Sequence, residues 1–414
     1  MKRLNILVSA YACERGLGSE PGIGWGTAWA LAKRHRVYVL TREANRSAIE
    51  ARLASDDCSP CDLTFVYYDL PQWTRFWKKG LRGVQFYYFL WQMMARALVD
   101  ELVDQYNIDV CHHLTWGRCW MPTALRGTKS RVVVGPVGGV ERTPKPLLAT
   151  LDWRSRGTEW VRGLVADILG RTGVVRCSLA SATLVLATSE ECRPYLKRSG
   201  VRRLEVFTNS GISEAHYTSL SAGVLPNMSS FRILSMGRLL GWKGIHLALL
   251  ALASLRIPDI EYWIVGDGPR RKALERMNNK LGLSAKVRFV GWVDQNEALA
   301  HLLRCHVLLH PSFHDSGGLV CAEAMAAGRP VICLDAGGPA VQVTAQAGFK
   351  IAPKTKDQVV ADMAEAILRL KTDHDLYTRM REAGQRRARD LVWDTKADYF
   401  SQCYEQCQKA EINS

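Results

Sequence analysis

Four charged side chains in the second half of the chain have the types and spacing to hold a phosphorylated, hydroxyl-rich ligand. Arg238 and Lys243 lie in Gly237-Arg238-Leu239-Leu240-Gly241-Trp242-Lys243-Gly244, directly after an apolar run. An arginine fork can take two phosphate oxygens, and a lysine five residues on adds a compact point charge. The pair suits a diphosphate whose negative charge grows as it departs. A solvated turn with incidental cations is the competing reading of this motif alone. Asp315 and Glu323 lie in the second cluster, His310 to Val343, where Ser316-Gly317-Gly318 precedes a predicted helix from about Leu319 to Ala327. An anion or a ring of hydroxyls above Gly317-Gly318 meets free backbone N–H groups at the positive end of that helix. Glu323 sits one to two turns in, where a carboxylate can accept two hydroxyl hydrogen bonds. Gly328-Arg329-Pro330 stops the helix, since glycine favours the C-terminal cap and proline cannot continue it.

Other candidates are weaker. His112 and His113 stand at the carboxyl end of the predicted strand Ile108–Thr115, where open α/β sheets bind ligands, although either ring could equally serve the core. Gly266-Asp267-Gly268 is an ordinary strand-to-helix turn. Asp373-His374-Asp375 imitates a D-x-D metal motif, but its place at a helix start favours capping. Cys58-x-x-Cys61 and Cys403-x-x-x-Cys407 could form a zinc site only if the C-terminus folded back beside residue 58; reduced, unligated thiols are the default.

Two α/β units must position these groups. Residues 4–12 read as a buried strand, Gly16-Leu17-Gly18 as a turn, Ser19 as the N-cap of a helix and Val37–Leu40 as the next strand. Val132–Val134 leads into a Gly135-Pro136-Val137-Gly138-Gly139 loop able to approach a ligand closely. Phe231–Met236 opens the second unit, after a Ser-, Gly- and Ala-rich stretch. The expected boundaries are 1–211 and 230–392 for two doubly wound Rossmann-like domains, 212–229 for a linker and 393–414 for a C-terminal helix.

With 414 residues the chain is too long for one core. Its 47% hydrophobic and 23% charged residues are ordinary for a folded globular protein. The net charge of +15 suggests a polyanionic partner: nucleic acid, anionic lipid or a phosphorylated substrate. No nucleic-acid motif accompanies the charge, and no apolar run is long enough to span a membrane. The apolar N-terminus imitates a signal peptide but is short, so a buried first strand is preferred. The cysteines fall mostly within predicted strands and helices, which argues for a reducing, cytoplasmic setting. Residues 72–99 and 152–176 interleave aromatics with cations. Each reads as a helix packed on its sheet, as a contact with an anionic membrane surface, or as both. An NAD(P)-dependent oxidoreductase is the main rival, yet the first turn lacks a third glycine, and Arg42 rather than an acid follows the second strand.

Several ordered motifs together resemble retaining glycosyltransferases of family 4, the group 1 enzymes of the GT-B fold, including members that build exopolysaccharides and lipid-linked glycans. Gly18-Ser-Glu-Pro-Gly-Ile-Gly-Trp25 resembles the first-domain glycine turn of one branch. Residues 237–244 are similar to the donor-diphosphate motif, and Asp315 to Glu323 to the family's paired-acid signature. The resemblance implies two Rossmann-like domains across a cleft, the first for acceptor and the second for donor, with a last helix crossing back. It implies that Arg238 and Lys243 bind the donor diphosphate, Glu323 the ribose, and backbone N–H groups at Ser316, Gly317, Gly318 and Leu319 the sugar and phosphate. Gly18 would approach the diphosphate, Val293 would pack the base, and His113 or His112 would face the acceptor. Asp315 stands where the family has glutamate, one methylene longer. The implied reaction takes a nucleotide sugar and an acceptor hydroxyl, such as a lipid-linked glycan, with no metal and no cofactor. A phosphorylase of the same fold is a further alternative.

Overall fold

The structure is a computed structural model that describes residues 2–16, 18–54, 62–74, 83–225, 230–255, 257 and 259–409. The chain divides into two compact units. One comprises Met1–Val140, Leu164–Gly211 and Trp393–Ser414; the other comprises Glu141–Gly163 and Ile212–Val392.

The first unit holds a parallel sheet of seven strands: β1 (Asn5–Ser9), β2 (Arg36–Thr41), β3 (Leu63–Tyr67), β4 (Val110–His113), β5 (Arg131–Val137), β6 (Leu184–Ala187) and β7 (Leu204–Val206). Their order is β3-β2-β1-β4-β5-β6-β7, so the winding reverses between β1 and β4. Apolar residues on successive positions serve opposite faces, which is why strands such as Arg131–Val137 are buried almost throughout. One face packs Leu7, Cys111 and Val134 with Tyr88 and Trp91. The other packs Ile6, Val8 and Val110 with Phe400 and Tyr404 of the last helix, Trp393–Lys409. The Gly135-Pro136-Val137 segment, expected as loop, continues β5. It does so through a register shift against β6 between Val134 and Val137, which accommodates a proline within a sheet.

The second unit holds six parallel strands: β8 (Phe231–Met236), β9 (Ile260–Val265), β10 (Val287–Gly291), β11 (Val307–His310), β12 (Val331–Leu334) and β13 (Gly348–Ile351). Their order, β10-β9-β8-β11-β12-β13, reverses between β8 and β11. Leu308 and Leu309 point to opposite faces, each fully covered, and Leu308→Ala would cost about 2–5 kcal/mol. Residues 141–163, placed in the first domain from sequence, fold with this unit. The expected linker contains a helix, Glu214–Ser221, whose N-cap Ser213 accepts the His216 N–H. The α/β expectation of two parallel sheets holds. Among the described residues no helix is long and apolar enough to cross a membrane.

Candidate functional site: a charged double loop in the second unit

A doubly wound sheet leaves a crevice where its strand order reverses, because the neighbouring strands send their following loops to opposite sides. At the reversal between β8 and β11 those loops are Gly237–Gly244 and Pro311–Gly318. They close on one another: the Phe313 N–H donates to the Trp242 carbonyl at 2.8 Å. Gly244 has φ 69°, and a Cβ there would come within 2.0 Å of the Pro311 oxygen, so only glycine lets the two backbones meet. A third turn buttresses the second loop. The Gly338 N–H donates to the Asp315 carbonyl at 2.6 Å, and a Cβ on Gly337 (φ 63°) would sit 2.6 Å from that same oxygen.

This packing brings the expected residues together. Lys243 Nζ lies 2.5 Å from Asp315 Oδ2, and His310 Nε2 approaches the same oxygen at 3.4 Å. Burial pushes the Asp315 carboxyl up, but the Lys243 charge, aided by His310, outweighs it and holds the group well below the usual carboxylate range. Burial pushes the His310 ring down. Arg238 is exposed, and no described residue engages its guanidinium. It borders a shallow concavity, together with Gly237, Lys243, His310 and Pro311. Ser316, Gly317, Gly318 and Leu319 are half-buried at the head of the helix Leu319–Ala326. The Gly317 carbonyl accepts from the Gln342 side-chain amide.

Glu323 is 6% exposed, and no described residue hydrogen-bonds its carboxyl. Burial alone pushes its pKa up to about 7. A covered carboxylate without a donor is costly. This one is suited to a ligand that brings its own hydroxyls.

Sequence reasoning missed the support behind Lys243. Its ammonium lies 4.6 Å from the Trp242 ring centre, and Trp242 stacks on His314 at 4.6 Å and 21°. His314 Nε2 lies 2.9 Å from Glu159 Oε2, which also accepts from Thr143 Oγ1 (2.9 Å) and Arg162 Nη2 (3.1 Å). Burial opposes ionisation of Glu159, yet the hydrogen bond from His314 and the nearby cations bring its pKa down to about 2. Nothing in the local sequence around Glu159 signals a partner 155 positions away. Val293 follows β10, half-buried, and borders the same apolar cluster as Leu319 and Val320.

The first-unit candidates fare differently. Gly18 is exposed and precedes the helix Ser19–Ala32. Ser19 is its first helical residue at φ 61° and makes no side-chain cap, contrary to its expected N-cap role. Neither histidine has a ring nitrogen left for an acceptor. Strand alternation sends His112 to one face, where Nδ1 meets Tyr404 Oη at 2.6 Å and Nε2 meets the Gly135 carbonyl at 2.7 Å. His113 goes to the other, where Nε2 meets Tyr88 Oη at 3.2 Å and Nδ1 meets Thr123 Oγ1 at 3.0 Å. Burial pushes the His112 pKa down to about 4 and that of His113 to about 3, so both are neutral core groups. A carboxylate at this end of the sheet is Glu20, which accepts the Trp116 N–H at 2.7 Å. Arg42 is held by the Tyr11 carbonyl and Asn45, which leaves it poorly disposed toward a phosphorylated ribose.

Asp373 caps its helix, accepting the Leu376 N–H at 2.8 Å. Cys403 and Cys407 are buried free thiols of the last helix, and Cys58 and Cys61 lie outside the described residues.

Residues 220–387, which contain both loops, match the family described as glycosyl transferases group 1. Over that stretch the chain is similar to the group 1 glycosyltransferases. Glycogen synthase of Mycobacterium tuberculosis is 29% identical over 302 residues, 71% of either chain. A lipopolysaccharide core biosynthesis glycosyltransferase, LpsD of Rhizobium meliloti, is 31% identical over 202 residues, 49% of this chain and 57% of its own. Anabaena HepE, solved in complex with UDP, superposes with a TM-score of 0.59 at 18% identity, covering 97% of this chain and 100% of that one. The fold is that of the GT-B glycosyltransferases, and glycosyl transfer is the activity of this chain.

Proposed function

We propose that this glycosyltransferase moves a sugar from a nucleotide-diphosphate donor to an acceptor hydroxyl with the anomeric configuration kept, without a metal ion. Its acceptor would be a lipid-linked or polysaccharide intermediate of a surface glycan. One observation carries the donor assignment: an exposed, unengaged Arg238 and an aimed Lys243 share a strand-order reversal with the buried, unpartnered carboxyl of Glu323. That set matches a nucleotide sugar, with phosphates at the cations, ribose hydroxyls at Glu323, and sugar and phosphate oxygens at the Ser316–Leu319 amides. The UDP bound by HepE supports the same chemistry.

In the proposed reaction the acceptor oxygen bonds to the anomeric carbon on the face from which the phosphate oxygen departs. The acceptor proton passes to that leaving oxygen, and the nucleoside diphosphate carries away the electron pair. Arg238, Lys243 and the helix end stabilise the growing charge. Asp315 keeps Lys243 aimed between turnovers. The buried thiols of Cys13, Cys111, Cys305, Cys321, Cys333, Cys403 and Cys407 suit a cytoplasmic setting. The basic, aromatic stretches 72–99 and 152–176 support attachment to the membrane's cytoplasmic face, although residues 75–82 lie outside the described structure.

Incubating the protein with a panel of nucleotide sugars, with and without EDTA, tests the donor assignment. Release of nucleoside diphosphate from one donor, unaffected by EDTA, is expected. No release from any donor would overturn it. NMR of the anomeric proton in the product reads retention directly.

A further inference from the structure

We infer that the first unit holds a site for a neutral pyranose ring at the reversal between β1 and β4, with Trp116 as its platform and Glu20 and Arg118 as its hydrogen-bonding groups. The ring would be the acceptor's terminal sugar. The inference names the acceptor class within the proposed function and rests on that reading.

The loops that follow β1 and β4 are tied together at the carboxyl edge of the sheet, where a doubly wound sheet opens its crevice. The Leu114 N–H donates to the Ser9 carbonyl at 3.0 Å, the Ala12 N–H to Thr115 Oγ1 at 3.1 Å, and the Trp116 N–H to Glu20 Oε2 at 2.7 Å. The second loop is also pinned to the end of β5. The Gly138 N–H donates to the Gly117 carbonyl at 2.9 Å, and a Cβ on Gly117 would stand 2.7 Å from the Pro136 oxygen. Between these ties Trp116 adopts φ 57°, a left-handed backbone that bulky residues rarely take. Trp116 is half-buried, and its ring rests on the buried rings of Tyr11 (5.1 Å) and Tyr88 (5.2 Å). The indole is therefore fixed before any ligand arrives.

Glu20 has more hydrogen-bonding capacity than this tie uses. The residue is half-buried, and no described residue donates to its second oxygen, Oε1. Burial pushes the carboxyl up, against the pull of the Trp116 N–H and the Arg118 charge. Arg118, also half-buried, holds its guanidinium 5.9 Å from the Trp116 ring centre and 5.2 Å from that of Trp120. Two buried polar atoms of these aromatic residues, Tyr11 Oη and Trp120 Nε1, have no partner among the described residues. An aromatic face beside a carboxylate acceptor and guanidinium donors is the complement of a sugar, whose C–H face is apolar and whose edge carries hydroxyls. Charge selects a neutral ring, because Glu20 and Arg118 carry opposite signs and a phosphate would meet the carboxylate. His112 and His113, with both ring nitrogens bonded, leave this role open.

Saturation-transfer NMR on the full chain, with no nucleotide sugar present, tests this. The neutral probes are the methyl glycosides of glucose, galactose, mannose and N-acetylglucosamine, and the anionic probe is glucose 1-phosphate. Transfer to the ring protons of at least one glycoside is expected. Glu20→Gln keeps an acceptor for the Trp116 N–H and should weaken that glycoside about three- to tenfold. Trp116→Asn, chosen because asparagine tolerates the left-handed backbone, should weaken it about tenfold. Circular dichroism melts check that both variants fold, and Glu20→Gln decides alone if Trp116→Asn does not. Unchanged glycoside affinity in the folded variants, or no transfer to any of the glycosides, overturns the proposal. Binding of glucose 1-phosphate alone, weakened by the same variants, would overturn the neutral class and make the site an anion site. Glycoside binding without hydrolysis of any nucleotide sugar would sink the donor assignment alone, and donor hydrolysis without glycoside binding would sink this inference alone.

Discussion

Lys243 Nζ lies 2.5 Å from Asp315 Oδ2 although the two residues are 72 positions apart, because β8 and β11 are neighbours and their loops meet at Gly244 and Pro311. The pair is largely covered, with side-chain exposures of 16% and 19%. A donor diphosphate would compete with Asp315 for the same ammonium. Lys243→Ala should lower turnover about 10²–10³-fold, the range seen when one preorganised charge-stabilising group is lost. Asp315 would keep its burial and lose its counter-charge, so the variant should also be less stable near neutrality. In the parent protein the depressed Asp315 pKa contributes stability above the unfolded value, about 4, and this is lost as pH falls through the lower folded value. The deficit of the variant should therefore shrink as pH falls below about 4. Steady-state kinetics and urea melts at several pH values read both effects, and near-normal transfer by the variant would contradict the assignment.

Glu323 creates the opposite situation. Its folded pKa, about 7, is raised above the unfolded value of about 4.3. The stability held by its neutral form is complete below the unfolded value and disappears as pH rises through the folded one. Glu323→Gln should therefore melt higher than the parent protein at pH 8 and close to it at pH 4, while binding donor more weakly. Equal melting temperatures at pH 8 would show that the carboxyl has a stabilising partner when ionised.

The same titration should appear in catalysis. Two hydroxyl hydrogen bonds require the carboxylate, so the donor KM should rise as pH falls below about 7. In Glu323→Gln that pH dependence should be absent, with KM uniformly high. A parent KM flat from pH 5.5 to 8.5 would remove Glu323 from the ribose.

His112 carries a prediction because the sequence left open whether its ring serves the core or an acceptor. With both nitrogens bonded and the ring buried, His112→Ala should cost about 2–4 kcal/mol from lost hydrogen bonds and a cavity. Activity measured well below the lowered melting temperature should survive. Complete loss of transfer in a folded variant would return the residue to the acceptor side.

The comparison of His112 with Glu323 shows where legibility ended. Strand and helix periods, glycine turns and the order of motifs were all readable, since each is a local pattern fixed by backbone sterics. That Lys243 and Asp315 serve one ligand was implied by the family resemblance alone, while the meeting of their loops depends on the β8–β11 adjacency in the sheet. Which way His112 and His113 point depends on strand alternation against two particular helices. Glu159 depends on residues 141–163 folding with the second unit. Both are long-range facts with no local signature, and the carbonyl and hydroxyl partners that satisfy a buried histidine leave no trace in spacing.

Glu159 is the residue through which that long-range packing reaches the site. Its pKa, about 2, keeps it ionised across any working pH, and it fixes the ring of His314, which stacks on Trp242 beneath Lys243. Glu159 touches no expected substrate position, so it acts by positioning. Glu159→Gln keeps the shape and an acceptor oxygen but removes the charge. The donor KM should rise about three- to tenfold, equivalent to ~0.7–1.4 kcal/mol, with kcat less affected. His314→Gln should have a similar effect, and the double variant should fall short of the sum, because neighbours in one network couple by about 0.5–3 kcal/mol. A lowered melting temperature with unchanged KM in both single variants would leave the pair as a structural clasp only. Strict additivity in the cycle would separate Glu159 from the ring it contacts.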